Sequence, residues 1–304
     1  MIDKLEMFIA LAREQHFRKA AEDRGVTQPT LSTALKQLED QLGVLLVRRG
    51  SRFHGLTPEG ERALEWARRI VGDMRSMKEE MRAARLVGLS GHMRIAVIPT
   101  ALTMVQELTA PFAEENPNIT LSIMSGSSIE ILSLIDNLEI DVGITYLDHE
   151  PLGRVVSVPL YKERYCLVFA QDYPVENRKS ITWQEIGSLP LCLLSPEMQN
   201  RRIIDSYLKN AGTAVRPRLE SNSMVSLLSN VLTGKWVSVM PERFIDTFRQ
   251  GMALKAIPVI EPEVSHIVGL VAADREPHTP GIGALLALAR RRVQCAQAPY
   301  RLQT

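Results

Sequence analysis

The chain has 304 residues, enough at ~150 residues per domain for about two domains. Apolar residues make up 45% and charged residues 23%, the balance of a soluble globular protein, which excludes a disordered, collagenous or membrane chain. Lys plus Arg (36) nearly cancels Asp plus Glu (35), so the net charge of +1 names no partner.

The distribution says more. Residues 1–90 hold 16 basic against 13 acidic side chains, the remainder 20 against 22. Gln41 to Pro58 contains no carboxylate and three arginines, Arg48, Arg49 and Arg52, a run suited to a polyanion. The opening MIDKLEMFIALAREQHF is broken by charges, unlike a secretory leader, and no stretch reaches the ~20 uncharged apolar residues of a membrane span. A cytoplasmic protein without a membrane partner is expected. Cys166, Cys192 and Cys295 are too few and too far apart for a disulfide framework. No histidine stands at metal-ligand spacing from Cys or carboxylate, so neither a metal nor a cofactor is expected.

In chain order, Ile2, Leu5, Ile9 and Ala12 recur at helical spacing, and the helix should end near Gln15 and His16. FRKAAEDRG predicts a second helix with Phe17, Ala20 and Ala21 on one side, stopped by Gly25. Thr27 is the natural N-cap of a third helix from about Gln28 to Gln41, with Pro29 in its first turn, where a missing N–H costs nothing. Leu31, Leu35, Leu38 and Leu42 form its apolar stripe, and Pro29, Ser32, Thr33, Lys36 and Gln37 lie on the outer face and its flanks. Two helices joined by a tight turn, the second with a short polar face, make a helix-turn-helix. VLLVRRGSRFHGLTPEG then predicts a hairpin that serves as a wing. In such modules Gln28 and Ser32 would hydrogen-bond base edges, and Lys36, Arg49 and Arg52 would bind phosphates. Pro29, Thr30 and Thr33 complete the candidate DNA-binding surface.

From Pro58 to about Leu86 helix formers dominate, predicting a rod of about 43 Å. Leu64, Ala67, Val71, Met74 and Met81 suggest a heptad seam and hence a dimerisation helix. Val87 to Gly91 then reads as a hinge.

Beyond it, strand-like runs alternate with helices: MRIAVI (93–98), a helix from Leu102 to Glu115, ITLSIM (119–124), a helix from Ser128 to Leu138, and DVGITY (141–146). This predicts a mainly parallel sheet with helices on both faces. CLVFA, PLCLL, NRRIIDSYLKNAG, RPRLES, SMVSLLSNVLTG and KWVSVM predict a second sheet of similar build, with HIVGLVAA and a helix from Gly283 to Cys295 returning to the first lobe. Ligands in such sheets sit beyond strand ends, at helix N-termini that favour anions. Thr100, Ser125, Ser127, Thr145, Ser195 and Asn222 occupy such ends and are the candidate effector-binding residues. Arg201-Arg202 and Arg290 to Arg292 read as solvated helix faces, and Cys166 and Cys192 as inert core thiols. No GxSxG, HExxH, P-loop or GxGxxG stands in a fitting context, so no catalytic residue is assigned and an enzyme is not expected.

The stretch HFRKAAEDRGVTQPTLSTALKQLEDQLGVLLVRRGSRFHGLTPEG resembles, in order and spacing, the winged helix-turn-helix of LysR-type transcriptional regulators, and the resemblance continues over nearly the whole chain. It implies an α/β multidomain protein: a winged helix-turn-helix (1–58), a linker helix and hinge (59–91), and a two-lobed, periplasmic-binding-protein-like effector domain (92–304). Lobe I spans about 92–160 and 266–304, and lobe II about 161–265. By position, Gln28, Pro29, Ser32 and Thr33 match the DNA-reading start of the recognition helix, and Arg49 and Arg52 match wing arginines. Thr100, Ser125, Thr145 and Ser195 match the loops of the effector cleft. Thr33-Ala34 and Val47 depart from the family's usual residues. MIDKLEMFIALAREQHF, IAVIPTAL, EPLGRVVSVPLY and SPEMQNRRIID are similar to regulators associated with formate dehydrogenase genes, which points to formate or another small carboxylate as effector. The implied partners are a double-stranded DNA operator, that effector, and further copies of the chain as a dimer or tetramer. The competing expectation is an architectural DNA-binding protein without a small ligand.

Overall fold

The computed structural model describes all residues except 49, 51–52, 86–87, 149, 175–177, 214–215, 249–250 and 298–304, with 84–85 and 295–297 described in backbone only. Arg49 and Arg52 therefore lie outside the described residues. Two compact units are present: Met1–Ser90 with the short pieces Asp136–Glu139 and Arg275–Gly283, and the remainder from Gly91 onward. Among the described residues no helix is long and apolar enough to cross a membrane.

The first unit holds α1 (Ile2–Glu14), α2 (Phe17–Asp23), α3 (Gln28–Leu42) and α4 (Pro58–Arg85). Each junction is made by local chemistry. His16 Nδ1 caps α2 by accepting from Lys19 N at 3.5 Å, and the helix closes with Val26 N donating back to Ala21 O at 2.9 Å. Thr27 Oγ1 caps α3, and Gly43 ends it at φ 71°, a value that favours glycine. The small Ala20 and Ala21 let α1, α2 and α3 meet over Leu5, Phe8, Leu11, Leu31, Leu35 and Leu38. Leu42 departs from the expected stripe: it lies in the last turn, beyond the helices that cover Leu38, and is 47% exposed.

The wing is a short antiparallel pairing. Val47 bridges Leu56, Arg48 N donates to Gly55 O at 3.0 Å, and Thr57 N donates to Leu46 O at 3.0 Å. Glu39 of α3 holds its base, with one carboxylate oxygen accepting from the backbone N–H groups of Leu46 (2.7 Å) and Val47 (3.3 Å). Thr57 Oγ1 donates to Leu45 O at 2.6 Å and accepts from Gly60 N at 2.9 Å, joining wing to α4.

The 28 residues of α4 make a rod of about 42 Å. Its expected seam is corrected. Ala67 and Val71 are buried in the core of the first unit, where α4 packs on α1, and are not available to a second chain. Trp66, Ile70, Met77 and Met81, spaced by four, seven and four, form the exposed apolar stripe instead.

The second unit contains β1 (Ser90–Val97, its first residue in the other unit), α5 (Gln106–Glu115), β2 (Asn118–Ser125), α6 (Ser128–Asp136, its last residue in the other unit), β3 (Val142–Tyr146), β4 (Val155–Ala170), β5 (Ile181–Thr182), α7 (Trp183–Ile186), β6 (Cys192–Leu194), α8 (Gln199–Asn210), β7 (Leu219–Ser221), α9 (Met224–Val231), β8 (Ser238–Pro241), α10 (Glu242–Phe248), β9 (Leu254–Ile260), β10 (Ser265–Ala273) and α11 (Pro280–Gln297, its first turn through Gly283 in the other unit). The two lobes are not closed separately. One sheet runs β2-β1-β3-β10-β4-β9-β5, with β8 also on β4, and β6-β7 form a small parallel pair. β4 pairs with β10 as far as Arg164, then with β8 and β9 from Tyr165 onward, so a single strand serves both lobes. The expected mainly parallel order is corrected to a mixed one, because β10 runs antiparallel to both β3 and β4, and β4 antiparallel to β8 and β9. CLVFA is the far half of β4 rather than the opening strand of a second sheet.

Gly60 reports on how tightly α4 meets the wing, since a Cβ there would stand 2.0 Å from Leu46 O. Gly60→Ala should therefore lower the unfolding free energy by about 1–3 kcal/mol in urea titrations. A variant as stable as the parent would remove this contact from the account.

Candidate functional site

At the head, the outer face of α3 presents Gln28, Pro29, Thr30, Thr33 and Lys36 to solvent, with Ser32 half-buried. The Thr30 hydroxyl is already engaged, 2.8 Å from Thr27 Oγ1. The others form one polar surface beside the wing, whose tip arginines are outside the described residues.

In the second unit the expected strand-end hydroxyls separate into two groups. Thr100 and Ser127 come together with Ser128, Tyr146, Gln199 and Asn200 around a small cavity of about 10 Å³. Ser125 and Asn222 are exposed, and the Ser195 hydroxyl donates to Glu197 Oε1 at 2.5 Å. Thr145 is fully buried on the opposite face of β3 from Tyr146, with an unpartnered hydroxyl. None of these four lines the cavity among the described residues. Ser127 is also a helix cap: its Oγ accepts from Glu130 N at 3.3 Å.

Residues with no sequence signal complete the site. Tyr146, fully buried, donates to Glu163 Oε1, while its oxygen lies 3.3 Å from both Thr100 Oγ1 and Asn200 Nδ2. The other Glu163 oxygen is buried without a partner among the described residues. Glu163 is 1% exposed on β4, opposite His266 of β10. His266 bridges Asp148 Oδ2 (3.2 Å) and the Tyr207 hydroxyl (3.3 Å). Gln199 donates to Asp148 O at 3.2 Å, leaving its own carbonyl oxygen buried and unpartnered.

The start of α8 thus stitches lobe II to lobe I, and Arg202 adds the strongest stitch. Its guanidinium donates twice to Glu150 Oε1 (2.8 and 2.5 Å) and once to Ser128 Oγ (3.3 Å), while Ser128 Oγ donates to Glu150 Oε2 at 3.1 Å. The expectation of a solvated Arg201-Arg202 face is corrected. Arg201 is buried and holds Asp205, Glu220 and Leu194 O, because α8 lies along the lobe with its polar first turn inward. Arg290, Arg291 and Arg292 are exposed.

Burial pushes the Glu163 carboxyl up to about 7, against the pull of the Tyr146, Tyr165 and Thr100 hydroxyls. Burial, with Glu163 adding to it, raises the Tyr146 phenol well above its ordinary range, so it stays a donor. An unfolded glutamate ionises near 4.5, so between there and about 7 the native state carries the extra proton. Stability must fall as pH rises through that window and level off above it. Glu163→Gln should flatten the profile and raise stability at about pH 8 by on the order of 3 kcal/mol, read from urea midpoints across the range. An undiminished slope would assign the titration to another group.

Against known proteins, residues 2–61 match the family described as "Bacterial regulatory helix-turn-helix protein, lysR family", and residues 87–294 match "LysR substrate binding domain". The hydrogen peroxide-inducible genes activator of Escherichia coli O157:H7 is 27% identical over 277 residues, covering 91% of this chain and 90% of that protein. A full-length OxyR variant from Pseudomonas aeruginosa superposes with a TM-score of 0.70 at 25% identity, covering 95% of this chain and 97% of the other. CbnR in complex with its target DNA gives 0.59 at 21% identity, covering 96% and 99%, a likeness of fold. With a helix-turn-helix head and a two-lobed α/β domain each matched in sequence, the chain belongs to the LysR family of DNA-binding transcriptional regulators, not to a family of enzymes.

Proposed function

We propose that this regulator reads its operator with the exposed start of α3 and responds to a small carboxylate, formate, bound between the lobes. The observation that carries the effector reading is the seat of Glu150. A carboxylate of the chain's own already bridges Arg202 of one lobe and Ser128 of the other, which are the donors a free carboxylate needs. An anion that takes those donors from Glu150 changes what ties α8 to lobe I and so favours a different lobe arrangement. The neighbouring cavity of about 10 Å³ has room for about one water, which favours the smallest carboxylate over bulkier acids. Thr100 and Ser127 line that space, whereas Ser125, Ser195 and Asn222 lie outside it and Thr145 faces away from it across β3.

The peroxide response in the relatives' names finds no support in the thiols described. Cys166 and Cys192 are buried in strands, their Sγ atoms facing Met240 O (3.4 Å) and Leu227 O (3.9 Å). Burial pushes the Cys192 thiol up to about 11, and a thiol kept neutral is a poor nucleophile. An architectural role without a ligand fits the head but leaves the polar convergence between the lobes without a purpose.

On the head, Gln28, Pro29, Thr30, Ser32 and Thr33 meet the bases, and Lys36, Arg49 and Arg52 meet phosphates in the cytoplasm's DNA. Two heads on a two-fold operator require paired chains. The stripe of Trp66, Ile70, Met77 and Met81 supplies the pairing surface for a dimer, and for a tetramer built from two.

Lys36→Ala should weaken operator and unrelated duplex alike and lower the salt slope by about 1, whereas Ser32→Ala should reduce sequence discrimination about tenfold. Equal losses of discrimination in both would refute the division of roles. In calorimetry, Arg202→Gln should weaken formate binding about 10–100-fold and Glu150→Gln should tighten it. Formate affinity untouched by Arg202→Gln would place the effector elsewhere.

A further inference from the structure

A second cavity in the same unit, of about 560 Å³, shares no lining residue with the lobe cleft. Its walls are Ala101, Met104 and Leu108 around the start of α5, Ile144 of β3, and Leu288 and Val293 of α11. The floor is shaped by an irregularity in β4. Gly269 of β10 pairs with Pro159 but Val268 pairs with Tyr161, so Leu160 is an extra residue. Such a bulge breaks the alternation of a strand, and here Leu160 and Tyr161, although consecutive, both line the cavity.

One polar group in this apolar lining is buried and unpartnered, and a charged one stands exposed beside it. The Tyr161 hydroxyl is shielded from solvent and has no hydrogen-bond partner among the described residues, and burial keeps the phenol protonated. The Arg243 guanidinium lies 4.7 Å from the centroid of the Tyr161 ring and has no ion-pair partner among the described residues. Arg291 and Arg292 stand on the α11 side, Arg291 paired with Glu115 at 3.2 Å, and Glu107 is the one carboxylate in the lining among the described residues. An apolar chamber of ordinary ligand size, with an unneutralised guanidinium and a buried hydroxyl donor together at one side, complements a molecule with an anionic head and an apolar tail.

We propose that this cavity is a further ligand site, for an aliphatic monocarboxylate whose head meets Arg243 and Tyr161 and whose tail lies among Met104, Leu108, Ile144 and Leu288. It is independent of the formate reading, because no cleft residue takes part. The two sites also differ in what they select. The cleft admits the smallest anion, whereas here each methylene buried should tighten binding about fourfold.

The test is calorimetry on the full chain with butyrate, hexanoate and octanoate, and with 1-octanol as the uncharged counterpart. Octanoate should bind one per chain, affinity should climb about fourfold per methylene through the series, and 1-octanol should bind at least tenfold more weakly. Arg243→Gln, at an exposed position that leaves thermal unfolding unchanged, should cost at least tenfold, and Tyr161→Phe severalfold. Glu150→Gln should leave octanoate affinity alone, which separates this site from the cleft. The proposal is overturned if octanoate fails to saturate, or if Arg243→Gln binds it equally well. Binding seen only in a chain ending at Gln297 would also overturn it, by giving the cavity to the chain's own last residues.

Discussion

Strand β4 constrains everything in the sensing unit. By pairing first with β10 and then with β8 and β9, it makes two lobes share one backbone, and the shared stretch carries Glu163 where the partners change. A carboxylate buried there can stay only because Tyr146 donates to it and because it keeps its proton to about neutrality. Thr100, Asn200 and Tyr165 gather around the same phenol, so residues of both lobes are organised by one buried pair. The first turn of α8 then closes over them through Gln199, Asn200 and Arg202.

In the reading proposed above, this arrangement gives a small ligand its leverage. The stitches between the lobes are few, polar and directional, whereas each lobe has its own apolar interior, as around Trp183 and Ile204 or Ile95 and Ile131. Exchanging one polar stitch for another alters the balance between arrangements without disturbing either core, which is what a population shift requires.

The head was almost fully legible in the amino-acid order because its signals are local. Thr27, Pro29, Gly25 and Gly43 mark helix ends by their own backbone chemistry, and the leucine spacing of α3 needs no distant partner. Leu42 and the α4 seam were misjudged for one reason: periodicity finds apolar faces but does not say which face the chain itself covers. In the sensing unit, β9 and α10 were missed, and β4 was seen only in its last five residues, because VVSVPLYKERY is broken by a proline and by the charged run Lys162 to Arg164. Glu163, Tyr146, Asp148 and His266 lie far apart in the chain, and only the fold brings them together. Strand-end hydroxyls were a sound guide to the neighbourhood, yet the groups that organise it are a phenol and a carboxylate.

Glu39 ties the wing to α3 through two backbone N–H groups, and Thr57 ties the same segment to α4. A reader fastened in this way is stiff. Among the described residues, the base of the wing moves with α3 and α4 as one piece. In the reading proposed above, ligand state acts by carrying the whole reader to a new spacing or tilt along the duplex, altering which pairs of grooves are reached while the preferred bases stay the same.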